Sequence, residues 1–482
     1  MTINKMVSKI NNSTISQQKR QIEYWGAENQ KKLYDSKVLI LGSQTLGQMV
    51  LGCSAGLGVG NILICDNIRT SKNEYDFLAP NLRGLEGVRK MEMIEENARK
   101  INDNIYIKTL HSKLSKGLLK FLDFEPDIVV DTQNNGLLKE ESLDYAIKND
   151  IKHISAFSDG RKAIINVYNG KNIDDIINEN EINANLYPYM SVSAGVSAGI
   201  ICDEIRKSIF RMDKTDLPLE NKLIYNIESN ERNSLKSDIN LRNESLKNKK
   251  FLVAGAGAIG NYVALNLALS GIENIDILDY DTVEYHNLAR QILLYQKIGE
   301  KKSKVLANRI NEISGCKSRG FDTKLDHNSR DFIKNNNYDL IFGCFDNQNA
   351  RLNLSNISME LKIPYIDGGT SPSKGSVNSY IPRISSCIKC KKDLKKSEEK
   401  VSCQEVPNPS VVIPNIIIGS MMVGEAYQIL NENNSSKKIY FESDNKKRIY
   451  IGVEGVSKPG CECNNRTGVK TKNGKENSSQ EK

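Results

Sequence analysis

The residues best equipped for chemistry lie between Lys250 and Arg351. Gly255, Gly257 and Gly260 stand in G-x-G-x-x-G order behind the apolar run Phe251–Ala254 and around Ala258. Glycines at this spacing permit a tight turn and a close approach of backbone to phosphate, and the next helix offers unpaired N–H groups to an anion. Asp279 ends a second apolar run, Ile275–Leu278, about twenty residues on, where an acid can bind ribose hydroxyls. Hydride-transfer domains share that much. The residues beyond Asp279 do not suit them: Asp281, then His286-Asn287-Leu288-Ala289-Arg290-Gln291, then Gly299-Glu300-Lys301-Lys302, then Asp346-Asn347 and Arg351. Cationic side chains neutralise phosphate charge and a carboxylate holds magnesium, so this series suits a site that cleaves a triphosphate.

Strand, glycine turn, helix and second strand form the βαβ unit that would position these groups. The same unit occurs earlier, in LGSQTLGQMVLGCSAGLGVGNILICDN. Gly42 registers with Gly255, Gly47 with Gly260 and Asp66 with Asp279 at a constant offset of 213 residues. The repeat continues: Pro126–Val130 matches Tyr338–Phe342, and the small-residue apolar stretch Ser191–Ile209 matches Asn415–Leu430. The expected fold is α/β, with two tandem Rossmann-like domains. The boundaries read as a mobile N-terminus over 1–16, a first domain over 17–210, an Asn/Ser/Lys/Glu-rich linker over 211–248, a second domain over 249–463 and a disordered tail over 464–482. The first copy reads as degenerate. Gln44 replaces the middle glycine, Ile68 stands opposite Asp281, and Asn134 replaces Asp346, where an amide lacks the anionic oxygen that magnesium prefers.

The chain has 482 residues, 39% apolar and 26% charged, enough for two domains that each bury a core. Much of the net charge of +8 sits in Lys/Asn/Ser-rich segments, which argues against nucleic acid as the partner. The apolar runs Tyr189–Cys202 and Val411–Val423 are too short to span a bilayer, and the N-terminus shows no signal-peptide core. Ten scattered cysteines without a disulfide framework suit a reducing, cytoplasmic setting.

With GAGAIG, LDYDTVEYHNLARQ, IGEKK, CFDNQNAR and the paired cysteines in hand, the second half resembles the MoeB/ThiF/HesA family and the adenylation halves of ubiquitin-like-modifier activating enzymes. The first half, with QKRQIEYWGAENQKKLYDSKVLILG, is similar to the inactive partner subunit of such enzymes. The resemblance implies an intramolecular pseudo-dimer that uses ATP and Mg2+. Ala258 and Asp279 would contact the nucleoside, Asn287, Arg290 and Lys302 the phosphates, and Asp346 the magnesium. The three glycines, Asp281 and Asn347 belong to the same expected cofactor site. Arg20, in an R-Q-I motif, would reach from the degenerate half into the live site and act catalytically. The implied reaction is adenylation of the C-terminal carboxylate of a small β-grasp carrier protein that ends in glycine. A downstream conjugating or sulfur-transfer protein would then take the activated carrier. A different acyl substrate (a peptide or a tRNA nucleoside) and a non-catalytic scaffold are the alternatives.

Cys387-x-x-Cys390 and Cys461-Glu-Cys463 offer four thiolates, the ligand set of a structural Zn2+ site. The family places a zinc knuckle at these points, usually with C-x-x-C as its second pair. Cys403 stands apart, before the apolar helix. In relatives a cysteine there can take up an acyl group as a thioester; the other reading is an unreactive loop thiol.

Overall fold

The computed structural model describes residues 12–71, 75–113, 115–173, 176, 190–242, 244–326, 329–392, 409–432, 437–452, 461 and 463. Helix α1 (Asn12–Asp35) leads in, broken at Gly26, whose φ of 82° only glycine adopts freely. The first half continues as β1 (Lys37–Leu41), α2 (Thr45–Leu57), β2 (Asn61–Asp66), α3 (Met91–Ile101), β3 (Tyr106–His111), α4 (Lys116–Phe121), β4 (Ile128–Asp131), α5 (Gly136–Lys148), β5 (Lys152–Ser158), β6 (Lys162–Val167), α6 (Val192–Ile209) and β7 (Leu223–Asn226). The second half repeats the plan. It runs β8 (Lys250–Ala254), α7 (Ala258–Leu269), β9 (Asn274–Leu278), α8 (Lys302–Ser314), β10 (Arg319–Phe321), α9 (Ser329–Asn336), β11 (Leu340–Gly343), α10 (Gln348–Leu361), β12 (Tyr365–Thr370), β13 (Lys374–Tyr380), α11 (Ile388–Lys392), α12 (Val412–Leu430), β14 (Lys438–Glu442) and β15 (Ile449–Gly452).

The strand orders are β3-β2-β1-β4-β5-β6-β7 and β10-β9-β8-β11-β12-β13-β14-β15. In each, five parallel strands lead into antiparallel ones, so the duplication read from sequence is a duplication of topology. β1, β4, β8 and β11 are apolar almost throughout because helices cover both faces of a parallel sheet. The strand order reverses direction between β8 and β11, and ligands of open α/β sheets bind at that switch point.

The halves share one core. Apolar α6 packs along α12, its counterpart, while α2 packs on α6 and α7 on α12. Small residues permit the approach: a Cβ at Gly195 would stand 2.1 Å from Ser420 Oγ, and one at Gly419 would stand 2.7 Å from Tyr262 Cβ.

Two boundary expectations change. Asn12–Ser16, assigned to a mobile terminus, belong to α1. The stretch 211–248, assigned to a linker, contributes β7 to the first sheet, pairing with β6. Its polar composition hid this because some of its charges are buried against partners. Arg232 pairs with Glu425 of α12, and Glu228 bonds Arg161 of the first half at 2.5 Å. No helix among the described residues is long and apolar enough to cross a membrane.

Candidate functional site

The glycine turn lies where β8 meets α7. Gly255 has φ 106°, and a Cβ there would stand 2.8 Å from the Cys344 carbonyl oxygen at the end of β11. A Cβ at Gly260 would stand 1.9 Å from the Gly255 carbonyl oxygen, so both positions require glycine for packing. Gly257 differs: a Cβ would meet nothing within 4 Å. It caps α7 and leaves the helix N-terminus, beginning at Ala258, open on that side. The Asp279 Oδ2 accepts the Ala256 N–H at 2.6 Å and its Oδ1 accepts the Asp281 N–H at 2.8 Å, which fixes the turn to the end of β9. Burial raises the Asp279 carboxyl against the pull of Lys302.

The cations stand nearby. Lys302, nearly buried, pairs with Asp281 at 2.9 Å. Asn287 closes a short turn over Tyr285–Asn287 by accepting the Glu284 N–H at 3.0 Å. Arg290 donates to the His286 carbonyl at 2.7 Å. It is only 9% exposed, and its guanidinium is lowered to about 10, first by burial and next by Arg20; Asp346, Glu23 and Glu284 act in the opposite direction. His286 reports the same crowding. Burial, then Arg290, Arg20, Lys302 and Lys19, hold its imidazole down to about 4. Its Nδ1 lies 3.1 Å from Glu284 Oε2.

Arg20 and Lys19 belong to α1 of the first half, which lies against the Tyr285–Asn287 turn. The structure therefore brings Arg20, Asn287, Arg290, Lys302 and Asp346 to one neighbourhood. Asp346 is exposed at the end of β11, across the switch point from the glycine turn. Asn347 stands apart in its bonding: its side chain caps α10 by accepting the Ala350 N–H at 2.7 Å. Arg351 is buried onto Asp367, with contacts of 3.0 and 2.9 Å. Cys403 lies outside the described residues.

The first half keeps the turn. Gly42 has φ 99°, and Asp66 accepts the Ser43 N–H at 2.6 Å, as Asp279 does for Ala256. Gln44 takes the helix-capping position held by Gly257 in the other half. Lys90, at the start of α3 as Lys302 is at the start of α8, is fully buried and paired with Asp76 at 3.0 Å.

Two clusters were not foreseen from sequence. Gln18, Gln21, Gln30 and Trp25 form a buried hydrogen-bonded group under α1. Asn104 reaches from the first half to the Tyr285 hydroxyl at 3.4 Å. The glutamines carried a signal, since polar residues at 17, 18 and 21 occupy the face that buries Trp25 and Leu33.

Cys387, Cys390, Cys461 and Cys463 converge, with all four Sγ atoms within 4.8 Å of one another. The Cys387–Cys461 and Cys390–Cys463 separations are both 3.7 Å. Sulfurs bound to one tetrahedral zinc at about 2.3 Å stand about 3.8 Å apart, so these two edges fit. The Cys461–Cys463 edge, 3.2 Å, is tighter than that.

The ThiF family model matches residues 17–245 and again residues 236–465. The chain belongs to the ThiF family. Among its ThiF relatives is the NEDD8-activating enzyme E1 catalytic subunit of Dictyostelium discoideum, 29% identical over 247 residues, covering 46% of this chain and 55% of that one. Another is the adenylyltransferase and sulfurtransferase MOCS3 of Caenorhabditis briggsae, 30% identical over 222 residues, covering 45% and 52%. The chain thus spans about half the length of these curated relatives. The crystal structure of E. coli MccB with ATP matches at 22% identity and a TM-score of 0.40, over 46% of this ThiF chain and 68% of that one.

Proposed function

We propose that this ThiF protein is an adenylating enzyme built as an intramolecular pseudo-dimer with one working nucleotide site. Its substrate is the C-terminal carboxylate of a small ubiquitin-like or sulfur-carrier protein. The observation that carries this reading is the convergence of Arg20, from the half whose turn carries Gln44 in place of Gly257, on Arg290, His286 and Lys302 of the half with the open turn. The open N-terminus of α7 at Gly257 and Ala258 receives phosphate, and Asp279 holds the turn for the ribose. Asn287, Arg290, Lys302 and Arg20 neutralise the triphosphate, Lys302 exchanging Asp281 for phosphate oxygen. Asp346 would hold a magnesium ion, which supplies Lewis-acid stabilisation of charge on the phosphates. A carboxylate oxygen of the carrier bonds to the α-phosphorus, and the bond from that phosphorus to the pyrophosphate oxygen breaks. The acyl-adenylate so formed is reactive enough to acylate a thiolate, the new C–S bond replacing the acyl bond to phosphate oxygen with release of AMP, and that thiolate is the role we assign to Cys403. Cys387, Cys390, Cys461 and Cys463 would hold a structural zinc that ties the chain near residue 461 to α11.

Carrier-dependent exchange of labelled pyrophosphate into ATP tests the reading. Exchange with a β-grasp carrier ending in glycine, abolished by Asp346→Ala, is the expected result. Absence of exchange with every such carrier, or exchange undiminished in Asp346→Ala, rejects it.

A further inference from the structure

The end of α2 belongs to the half whose turn carries Gln44 in place of Gly257, yet it touches both arginines' supports. A helix leaves its last carbonyls without intrahelical partners. Here the amides of α1 supply them. Gln18 Nε2 donates to the Gly56 carbonyl at 3.1 Å, and Gln21 Nε2 donates to the Leu57 carbonyl at 2.7 Å. Gln30 Nε2 reaches the same Leu57 carbonyl at 2.9 Å, while its Oε1 accepts from Gln21 at 2.8 Å and from Trp25 Nε1 at 3.0 Å. Asn102 closes the set by donating to the Ala55 carbonyl at 3.0 Å. Gln18, Gln21 and Gln30 are all at most 1% exposed, so these bonds are shielded from competing water. Arg20 lies between two anchored glutamines and is aimed off the anchored face.

The other side of the same helix end meets the second half. A Cβ at Gly56 would stand 2.7 Å from the Ala289 carbonyl oxygen and 3.2 Å from Ile292 Cγ2. One turn earlier, a Cβ at Gly52 would stand 3.4 Å from Ile292 Cδ1. Ala289 directly precedes Arg290. A separate strut, Gln17 to Asn104 to the Tyr285 hydroxyl, holds the start of that turn, each contact at 3.4 Å.

We propose that the C-terminal end of α2, Ala55–Gly58, is a positioning element for the nucleotide site of the other half, setting Arg20 through Gln21 and the Arg290 turn through Gly56. Gln21 and Gly56 are positioning residues that touch no phosphate themselves. The assignment rests on the nucleotide site proposed above. It gives the first half a reason to keep its glycine turn and α2: the helix is a ruler between two cations from different halves. Misplacing charged groups by less than an ångström is felt in binding and rate, so roughly tenfold effects are expected from either residue.

The test is MgATP affinity of the full chain by titration calorimetry, in Gln21→Met, Gly56→Ala, Arg20→Ala and the double variant Gln21→Met/Arg20→Ala. Thermal unfolding of each verifies the fold, and Gln18→Met replaces Gln21→Met if the latter does not fold. The proposal expects Gln21→Met to weaken MgATP roughly tenfold in the otherwise native chain and less than about twofold once Arg20 is gone, because the two act through one contact. Gly56→Ala should weaken it as well, and undiminished affinity in a folded Gly56→Ala chain also overturns the proposal. An equal loss from Gln21→Met in both backgrounds, or no loss in either, overturns the proposal while leaving the nucleotide site standing. A native chain that does not bind MgATP overturns the nucleotide site as well.

Discussion

Replacing Arg290 by methionine should make the nucleotide-free protein more stable and cripple its use of ATP. The guanidinium is buried, and its titration is lowered to about 10 by burial and by Arg20. Arginine ordinarily titrates above about 12, and each tenfold change in acidity is about 1.4 kcal/mol, so the folded protein carries a cost of roughly 3 kcal/mol for that charge. The sign follows from a lowered pKa on a cation: the cost is complete below about pH 10 and is relieved only as the pH rises through and beyond that value. Methionine fills similar space without charge, and the lost hydrogen bond to the His286 carbonyl returns about 1 kcal/mol. The net gain is about 2 kcal/mol. For a chain this long that unfolds as one unit, it corresponds to a rise of about 2 °C in Tm. Differential scanning calorimetry at pH 7.5 reads it directly. The same scans with saturating MgATP should show a large upward shift for the native protein and almost none for Arg290→Met. The reasoning is refuted if nucleotide-free Arg290→Met melts below the native protein by more than about 1 °C, because the guanidinium would then be fully satisfied without phosphate.

Two further outcomes are expected. One zinc per chain should be found by atomic absorption; a chelator or Cys387→Ser should remove it and lower Tm, and a metal-free protein of unchanged Tm contradicts the site. The imidazole of His286, held down to about 4 by burial and four neighbouring cations, is neutral at physiological pH. Its contribution to stability is complete above the ordinary imidazole range and is lost as pH falls through about 4, so His286→Asn should lose less stability than the native protein between pH 6.5 and 4 in denaturant titrations. Parallel losses in the two proteins would remove His286 as the cause.

Much of this was legible because it depends on local pattern. The G-x-G-x-x-G turns, the terminal acids Asp66 and Asp279 and the apolar strands of a covered parallel sheet each announce themselves within a few residues, and the repeat between halves fixed the topology. The first half's departures from the motif were visible at Gln44 and Asn134. The burial of Lys90 against Asp76 was not, because the pairing spans a loop with no periodic signal. The stretch 211–248 misled for a related reason. Polar composition predicts solvent exposure only when charges lack buried partners, and Glu228 and Arg232 have theirs in Arg161 and Glu425. Arg20 stood out by its R-Q-I motif, but the hydrogen bond of the adjacent Gln21 to the end of α2 did not. The capping of α10 by Asn347 was not read from the sequence, although its position before a helix carried that signal.

The central claim is that two copies of one nucleotide-binding fold make a single site, completed from the half that lost its own. Counting MgATP bound per chain by equilibrium dialysis tests it most directly. One nucleotide per chain is predicted, with affinity reduced by Asp346→Ala and by Arg20→Ala and unaffected by Gln44→Ala. Two nucleotides per chain, none, or one whose affinity is indifferent to Arg20 would contradict it.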